Sequence, residues 1–392
     1  MIKLIKSTLH REKESKQALI RFINTAEQLS FGPQCRKFEK KFAQYQARKD
    51  AVFLNSGSSA NLALIQSLMN LGRLRRGDAV GFSAVTWSTN VMPLIQCGLV
   101  PVPIDVELES LNVSPRTLQM AIKTRPLKAL FLTNLLGFSD EIDKIRRICT
   151  LRKIIFLEDN CEALGTVYRG RKLGNFGLAS TYSFFVGHHM PTIEGGVVAT
   201  DDRKLAQMVR IVRAHGWDRN LSPREQIILR RGVKVDEFYG LYTFYDLGYN
   251  LRPTEIQGFL GNQQLRYVPA IVRKRAENFQ RLARAIYART DLYYPIRFDH
   301  IDIVSNFSFP VICRSEKIKT ELIRRCLGKI EVRPIVGGDM TAQPFFRKYV
   351  SKQGLGKKSN ARLIHRQGLY FGNNPELTKR EIKEIIHVFT CR

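Results

Sequence analysis

Ile154-Ile155-Phe156-Leu157-Glu158-Asp159-Asn160-Cys161-Glu162-Ala163-Leu164-Gly165 reads as a buried strand that ends on a carboxylate. Its four leading apolar residues fit a strand covered on both faces, with Asp159 at the carboxyl end. The chain before it alternates. Residues 51–54, 79–82, 100–105 and 127–133 read as extended, and residues 62–71, 89–96 and 142–150 as helical. Strands alternating with helices imply an α/β fold, a largely parallel sheet with helices on both faces. Ligands in such sheets sit outside the carboxyl ends of strands, where Asp159 and Ser56-Gly57-Ser58 both fall.

Outside this block the pattern changes. Residues 1–30 read as a helical lead-in that breaks at Phe31-Gly32-Pro33, and Phe38, Phe42 and Tyr45 resume helical spacing. A long helical pattern runs from Thr254 to about Tyr287, with Pro253 at a plausible helix start. A strand at 306–312 and a helix at 317–327 follow. The length of 392 residues suits two domains, placed at 1–250 and at 251–392, the second a smaller α/β unit.

Composition narrows the classes. Hydrophobic residues make up 44%, yet no apolar run approaches a membrane span, and Met1-Ile2-Lys3-Leu4-Ile5-Lys6 begins no secretory signal. Seven scattered cysteines form no C-x-x-C pair, so neither a metal site nor a disulfide framework is expected, and reduced thiols point to the cytoplasm. The formal charge of +28 is spread along the chain in short groups such as Arg73-Leu74-Arg75-Arg76. That spread describes a solvated basic surface, part of which can attract an anionic small substrate, and not a nucleic-acid-binding arm.

Several segments carry chemistry. Ser56-Gly57-Ser58-Ser59-Ala60 joins a strand to a helix, where small residues let N–H groups and hydroxyls approach a phosphate; a serine-rich helix cap has the same appearance. Trp87 follows a strand end and suits either an aromatic shelf or a core position. Asp159 suits a pyridine-nitrogen partner or a turn cap. Then comes Ser183-Phe184-Phe185-Val186-Gly187-His188-His189-Met190-Pro191-Thr192-Ile193-Glu194-Gly195-Gly196. Ala214-His215-Gly216-Trp217-Asp218-Arg219, Asp246-Leu247-Gly248-Tyr249-Asn250-Leu251-Arg252-Pro253-Thr254-Glu255 and Glu331-Val332-Arg333-Pro334-Ile335 complete the set.

Together, from about residue 30 to 375, these segments resemble the DegT/StrS family of sugar aminotransferases that use pyridoxal phosphate. That family writes its attachment loop roughly as S-F-x-x-x-K-x-x-x-x-x-E-G-G, and here His188 stands five residues after Ser183, in the place of the Schiff-base lysine. The resemblance implies fold type I of the pyridoxal-phosphate enzymes. It implies phosphate contacts from Gly57, Ser58 and Ser183, a ring shelf at Trp87, a ring-nitrogen partner at Asp159, and Glu162 near the ring hydroxyl. Asn250 would reach the phosphate of a neighbouring subunit's cofactor, hence a homodimer with shared sites. His215, Arg219 and Arg333 would bind substrate, although ordinary surface arginines would look the same.

The paired histidines of the lysine-free loop, the run from Thr243 to Pro253 and Arg333-Pro334-Ile335 resemble the nucleotide-sugar 3-dehydratase branch of that family. Imidazole forms no stable covalent link to the cofactor. The resemblance therefore implies non-covalent pyridoxal phosphate working as pyridoxamine phosphate, with glutamate restoring the amine. His188 becomes the general base, its imidazolium a candidate proton donor, and His189 takes that place if the register shifts by one. The substrate would be a nucleotide-linked 4-keto-6-deoxy sugar that loses its 3-hydroxyl. One branch relative carries an iron–sulfur cluster on closely spaced cysteines; only Cys313, Cys326 and Cys391 follow His188, so no cluster is expected. The competing expectations are an aminotransferase, or an inactive binding protein on the same scaffold. The presence of Asp159, Glu162 and Ser183 argues against the latter.

Overall fold

The computed structural model describes residues 1–350, 354–356 and 358–391. Helices α1 (Glu12–Thr25) and α2 (Pro33–Gln46) open the chain. Then follow β1 (Asp50–Leu54), α3 (Gly57–Asn70), β2 (Ala79–Ser83), α4 (Met92–Gln96), β3 (Val100–Ile104), α5 (Pro115–Thr124), β4 (Ala129–Thr133), α6 (Ile142–Leu151) and β5 (Ile155–Asp159). A short hairpin, β6 (Val167–Tyr168) and β7 (Arg171–Lys172), leads to β8 (Ala179–Ser183) and β9 (Gly196–Thr200).

These strands form a seven-stranded sheet in the order β1-β9-β8-β5-β4-β2-β3, in which β9 runs against both of its neighbours. Alternate side chains face opposite layers, as the period of two requires. Leu130 and Leu132 join a core with Ile142, Ile145 and Phe279, while Ala129 and Phe131 join another with Leu64, Leu68 and Val209. The edge strand β3 carries Pro101 and Pro103, residues that cannot extend the ladder.

Beyond β9 come α7 (Arg203–Arg213), α8 (Pro223–Gly232), α9 (Glu255–Gln264) and α10 (Val268–Ile286). The single long helix expected from Thr254 is thus two, separated by a 3-10 turn at Leu265–Tyr267, with Pro269 in the first turn of the second. The remaining elements are β10 (Tyr293–Tyr294), β11 (Ser308–Cys313), α11 (Glu316–Cys326), β12 (Val332–Pro334), α12 (Pro344–Tyr349), α13 (Asn360–Gln367), β13 (Gly368–Gly372) and α14 (Lys379–Thr390). Their strands make a second, antiparallel sheet ordered β10-β11-β13-β12.

The start of the chain departs from the helical lead-in. Ile2 bridges to Ile330, and the Leu4 N–H donates to the Glu331 carboxylate at 3.0 Å, so this stretch is held extended beside the second sheet. Among the described residues, no helix is long and apolar enough to cross a membrane.

Candidate active site

The carboxyl ends of β1, β2, β4, β5 and β8 converge on a cavity of about 370 Å³. Its floor holds Gly57, Ser58, Asp159, Glu162 and Ser183, Trp87 stands at its wall, and Phe307 and Tyr370 enter from the second sheet's side. Ile5 completes the rim, brought there by the extended N-terminal stretch.

At the phosphate end both readings of the serine segment hold, for different residues. Ser56 caps α3, its hydroxyl accepting from the Ser59 N–H at 3.1 Å. Gly57 and Ser58, the first residues of the helix, bring their N–H groups to the cavity, where the helix end is electropositive. Ser183 comes so close that a Cβ on Gly57 would lie 2.5 Å from the Ser183 Cβ. Gly196 is required for a similar reason: a Cβ there would lie 2.2 Å from the Ser56 carbonyl oxygen.

Asp159 is buried, and both of its oxygens accept hydrogen bonds. One carboxylate oxygen accepts from Asn90 Nδ2 at 2.7 Å and Asn61 Nδ2 at 3.1 Å, and the other from the Cys161 N–H at 2.8 Å. Every one of these partners is a donor, so both carboxylate oxygens serve as acceptors. Glu162 differs. Its carboxylate accepts the Leu136 N–H at 2.8 Å, but burial, aided by the charge of Asp159, pushes its ionisation up to about 8. Near neutrality that carboxyl is largely protonated and able to donate.

The loop between β8 and β9 leaves the sheet at the pair Ser183–Gly196 and carries His188 to the cavity wall. The ring meets Phe307 edge to face at 5.2 Å, and its Nδ1 is sealed from solvent without a hydrogen-bond partner. Nε2 is therefore the nitrogen that exchanges protons with the cavity. Burial, with the nearby Arg275 guanidinium second, pulls its ionisation down to about 4, so the imidazole is neutral at pH 7. No acceptor stands behind Nδ1 to stabilise an imidazolium, which agrees in sign with that shift. His189 is buried outside the cavity, its Nε2 3.1 Å from the Ser305 carbonyl oxygen.

Behind this loop lies Arg275 on α10, which sequence reasoning missed. Its guanidinium is buried and donates to the backbone carbonyls of Asn373 at 2.6 Å, Asn306 at 3.3 Å and His188 at 3.4 Å. It thereby ties the His188 loop to α10 and the second sheet.

The remaining anticipated residues lie outside the cavity of this one chain. Asn250 is exposed and accepts from Arg252 Nε at 3.0 Å. His215 takes a left-handed backbone, φ 62°, near Asn250. Arg219 lies over the Trp217 ring at 5.0 Å, in a separate open pocket with Tyr242. Arg333 pairs with Glu331 at 2.6 Å and sits directly across from Tyr370 in the β12–β13 register, hence on the same sheet face. Among the described residues, no three His, Cys, Asp or Glu side chains gather as a metal site.

The profile of the DegT/DnrJ/EryC1/StrS aminotransferases matches residues 10–390. This chain belongs to that family. It is 33% identical over 388 residues to the GDP-4-keto-6-deoxy-D-mannose 3-dehydratase of Yersinia pseudotuberculosis, covering 96% of this chain and 95% of that protein. Among solved structures, it is similar to a histidine-to-asparagine mutant of GDP-4-keto-6-deoxymannose-3-dehydratase with bound GDP-perosamine. The TM-score is 0.90 at 30% identity, over 99% of this chain and 100% of that one. The same enzyme with a trapped PLP-glutamate geminal diamine gives a TM-score of 0.89 at 30% identity, over 99% and 100% of the two chains.

Pyridoxal phosphate, the cofactor of this family, fits the residues present. Only a glycine at 57 leaves the space between the α3 N-terminus and Ser183 open for a phosphate. At the other end, the Asp159 carboxylate, held by donors, suits a protonated ring nitrogen.

Proposed function

We propose that this protein uses pyridoxal phosphate, in its amine form, to remove the 3-hydroxyl of a GDP-linked 4-keto-6-deoxy sugar, with glutamate as amino donor. The observation that carries this reading is His188. A family loop that otherwise carries an attachment lysine here presents a neutral imidazole to a cavity that keeps the other expected cofactor contacts. The likeness to GDP-sugar 3-dehydratases, at 33% identity over nearly the full length, supports the nucleotide and the reaction.

When bound, the cofactor supplies an amino group that condenses with a ketone and a ring that accepts electrons. The chain's own residues do the rest. The first N–H groups of α3 and the Ser183 hydroxyl hold the phosphate, Trp87 covers the ring, Asp159 pairs with its nitrogen, and Glu162 donates toward its hydroxyl. His188 Nε2 takes the proton from the carbon beside the amine. Because imidazole replaces the lysine, these contacts hold the cofactor without a covalent link.

The working unit in this reading is a homodimer with shared sites. Asn250, His215 and Arg219 lie beside a strip of exposed apolar side chains that includes Phe238, Tyr239, Leu241, Tyr242 and Leu247. Such a strip suits a second copy, which brings Asn250 to its partner's cofactor while Arg219 and Arg333 bind the diphosphate. Residues 1–250 form the cofactor-binding unit and 251–392 the smaller one. Seven unpaired cysteines agree with a reducing cytoplasm.

The test is incubation with pyridoxamine phosphate, glutamate and a panel of GDP-, CDP-, dTDP- and UDP-linked 4-keto-6-deoxy sugars, read by product mass. A 3-deoxy product from the GDP sugar, with ammonia released, is expected. An amino sugar instead would mark a transaminase, and no product from any nucleotide would sink the reading.

A further inference from the structure

Two cavities meet at His188. Its ring lines the cofactor cavity and also a small one behind it, of about 30 Å³, whose walls include His189, Arg275 and Phe307. Three nitrogens of these side chains are buried and have no hydrogen-bond partner among the described residues: His188 Nδ1, His189 Nδ1 and Arg275 Nε.

Elementary chemistry decides what each nitrogen can do. The Ser305 carbonyl oxygen lies 3.1 Å from His189 Nε2, and a carbonyl only accepts, so the hydrogen of His189 is on Nε2. Burial, then the charge of Arg275, keeps that imidazole uncharged at neutral pH, which leaves His189 Nδ1 a bare acceptor. Arg275 Nε carries a hydrogen and only donates, while the other guanidinium nitrogens are engaged by the carbonyls of Asn373, Asn306 and His188. His188 Nδ1 carries a hydrogen whenever Nε2 is free to take a proton. A donor and an acceptor are both present, yet they do not bond to each other. Two donors and one acceptor on the walls of a space this size match a single water molecule. Its oxygen accepts both N–H groups, and one of its hydrogens goes to His189.

We propose that a bound water occupies this rear cavity and that His189, by orienting it, fixes His188 in the tautomer with a bare Nε2. The water stands where a carboxylate or carbonyl stands behind other catalytic histidines. Being neutral, it orients the ring without raising its ionisation, in keeping with a base that is uncharged at pH 7. It accepts from Nδ1 equally in the imidazole and in the imidazolium, so it need not move when the base takes up a proton or gives it back. His189 lies outside the cofactor cavity and acts through the water, as a positioning residue. The tautomer rests on the reading of His188 as the base; the water site does not.

The experiment uses the cofactor-free full-length chain and two variants, His189→Phe and His189→Asn. Phenylalanine removes the acceptor, whereas the asparagine side-chain oxygen takes roughly the place of Nδ1; both lose the contact to Ser305. A high-resolution crystal structure of the wild type should show one water within about 3.2 Å of all three nitrogens. Nitrogen NMR of histidine-labelled protein, with the His188 signals assigned by their loss in His188→Gln, should show hydrogen on Nδ1 in the wild type and His189→Asn, and a mixture of tautomers in His189→Phe. Single-turnover deoxygenation of the GDP-linked 4-keto-6-deoxy sugar should fall roughly 2- to 10-fold in His189→Phe, the worth of one hydrogen bond, and stay near wild type in His189→Asn. No water between the three nitrogens, or hydrogen on Nε2 in the wild type, would overturn the proposal. Equal falls in both variants would mark a packing role through Ser305 and overturn it as well. A wild type that shows the water and the Nδ1 hydrogen but deoxygenates no sugar would uphold the site and overturn the deoxygenation reading instead.

Discussion

Replacing Asp159 by asparagine changes one atom and removes a charge, and the surrounding hydrogen bonds decide its effect. Both oxygens of Asp159 face donors only: the Asn61 and Asn90 amides on one side and the Cys161 N–H on the other. An asparagine must turn its NH2 toward one of them. In the better orientation the amide oxygen keeps both asparagines, and the NH2 meets the Cys161 N–H, breaking a 2.8 Å bond and leaving a buried donor unpaired. A single buried unsatisfied group costs about 1–3 kcal/mol, so the cofactor-free protein should lose roughly that much stability. Cofactor affinity should fall further, because a neutral amide replaces a charge-assisted contact to the ring nitrogen, a loss of about 10- to 100-fold. Urea unfolding of the cofactor-free protein and absorbance titration with pyridoxal phosphate measure the two effects separately. An Asp159→Asn protein as stable as wild type and binding cofactor equally well would refute both the donor-only environment and the ring contact.

Other expectations follow from the same geometry. Gly57→Ala places a Cβ 2.5 Å from Ser183, so it should cost about 1–3 kcal/mol of stability through overpacking and weaken pyridoxal phosphate binding more than any change outside the cavity. Unchanged affinity in a titration would contradict the phosphate cradle. His188 ionises near 4 when folded and near 6.5 when unfolded, so between those values the unfolded chain binds the extra proton. Its contribution to stability is complete above about pH 6.5 and declines as the pH falls toward 4, by up to about 3 kcal/mol. Urea midpoints should therefore depend less steeply on pH in His188→Gln than in wild type, and equal dependence would argue against a sequestered imidazole.

Much of the cavity floor was legible in the sequence, because a parallel sheet places ligand contacts at the ends of strands. Asp159 and Gly57 each follow a run of apolar residues, so the pattern that marks the strand also marks the site, whereas Ser183 closes a strand broken by Ser180 and Thr181 and was marked only by the family loop. The residues that orient them were not legible. Asn61 lies one turn into α3 and Asn90 in a 3-10 turn, and neither sequence position indicates that both amides converge on Asp159. Tyr370, Phe307 and Arg275 arrive from the second sheet and α10, more than 80 residues beyond His188 in each case, through contacts that no local period encodes. The helical spacing of Leu19, Ile20, Phe22 and Ile23 does not extend to residues 2–6, which carry no local signal of their own conformation. Pairing with Glu331 and Ile330 at the far end of the chain sets their conformation instead. Helix α5 did carry a local signal, Ser114 capping Thr117 with Pro115 in the first turn, and passed unread. The break between α9 and α10 also carried a local signal, Pro269 in the first turn of α10, while packing fixes where α9 lies. Gly261 lies so close to the Phe38 ring that a Cβ would be 2.7 Å away, which seats α9 against α2.

The claim that His188 moves the proton without anchoring the cofactor is tested most directly by single-turnover product mass. His188→Gln keeps a polar side chain of similar reach and has no basic nitrogen. Loaded with pyridoxamine phosphate and mixed with the GDP-linked 4-keto-6-deoxy sugar, it should form the 3-deoxy product at least about 100-fold more slowly than wild type while binding cofactor equally well. Deoxygenation at the wild-type rate would contradict the account.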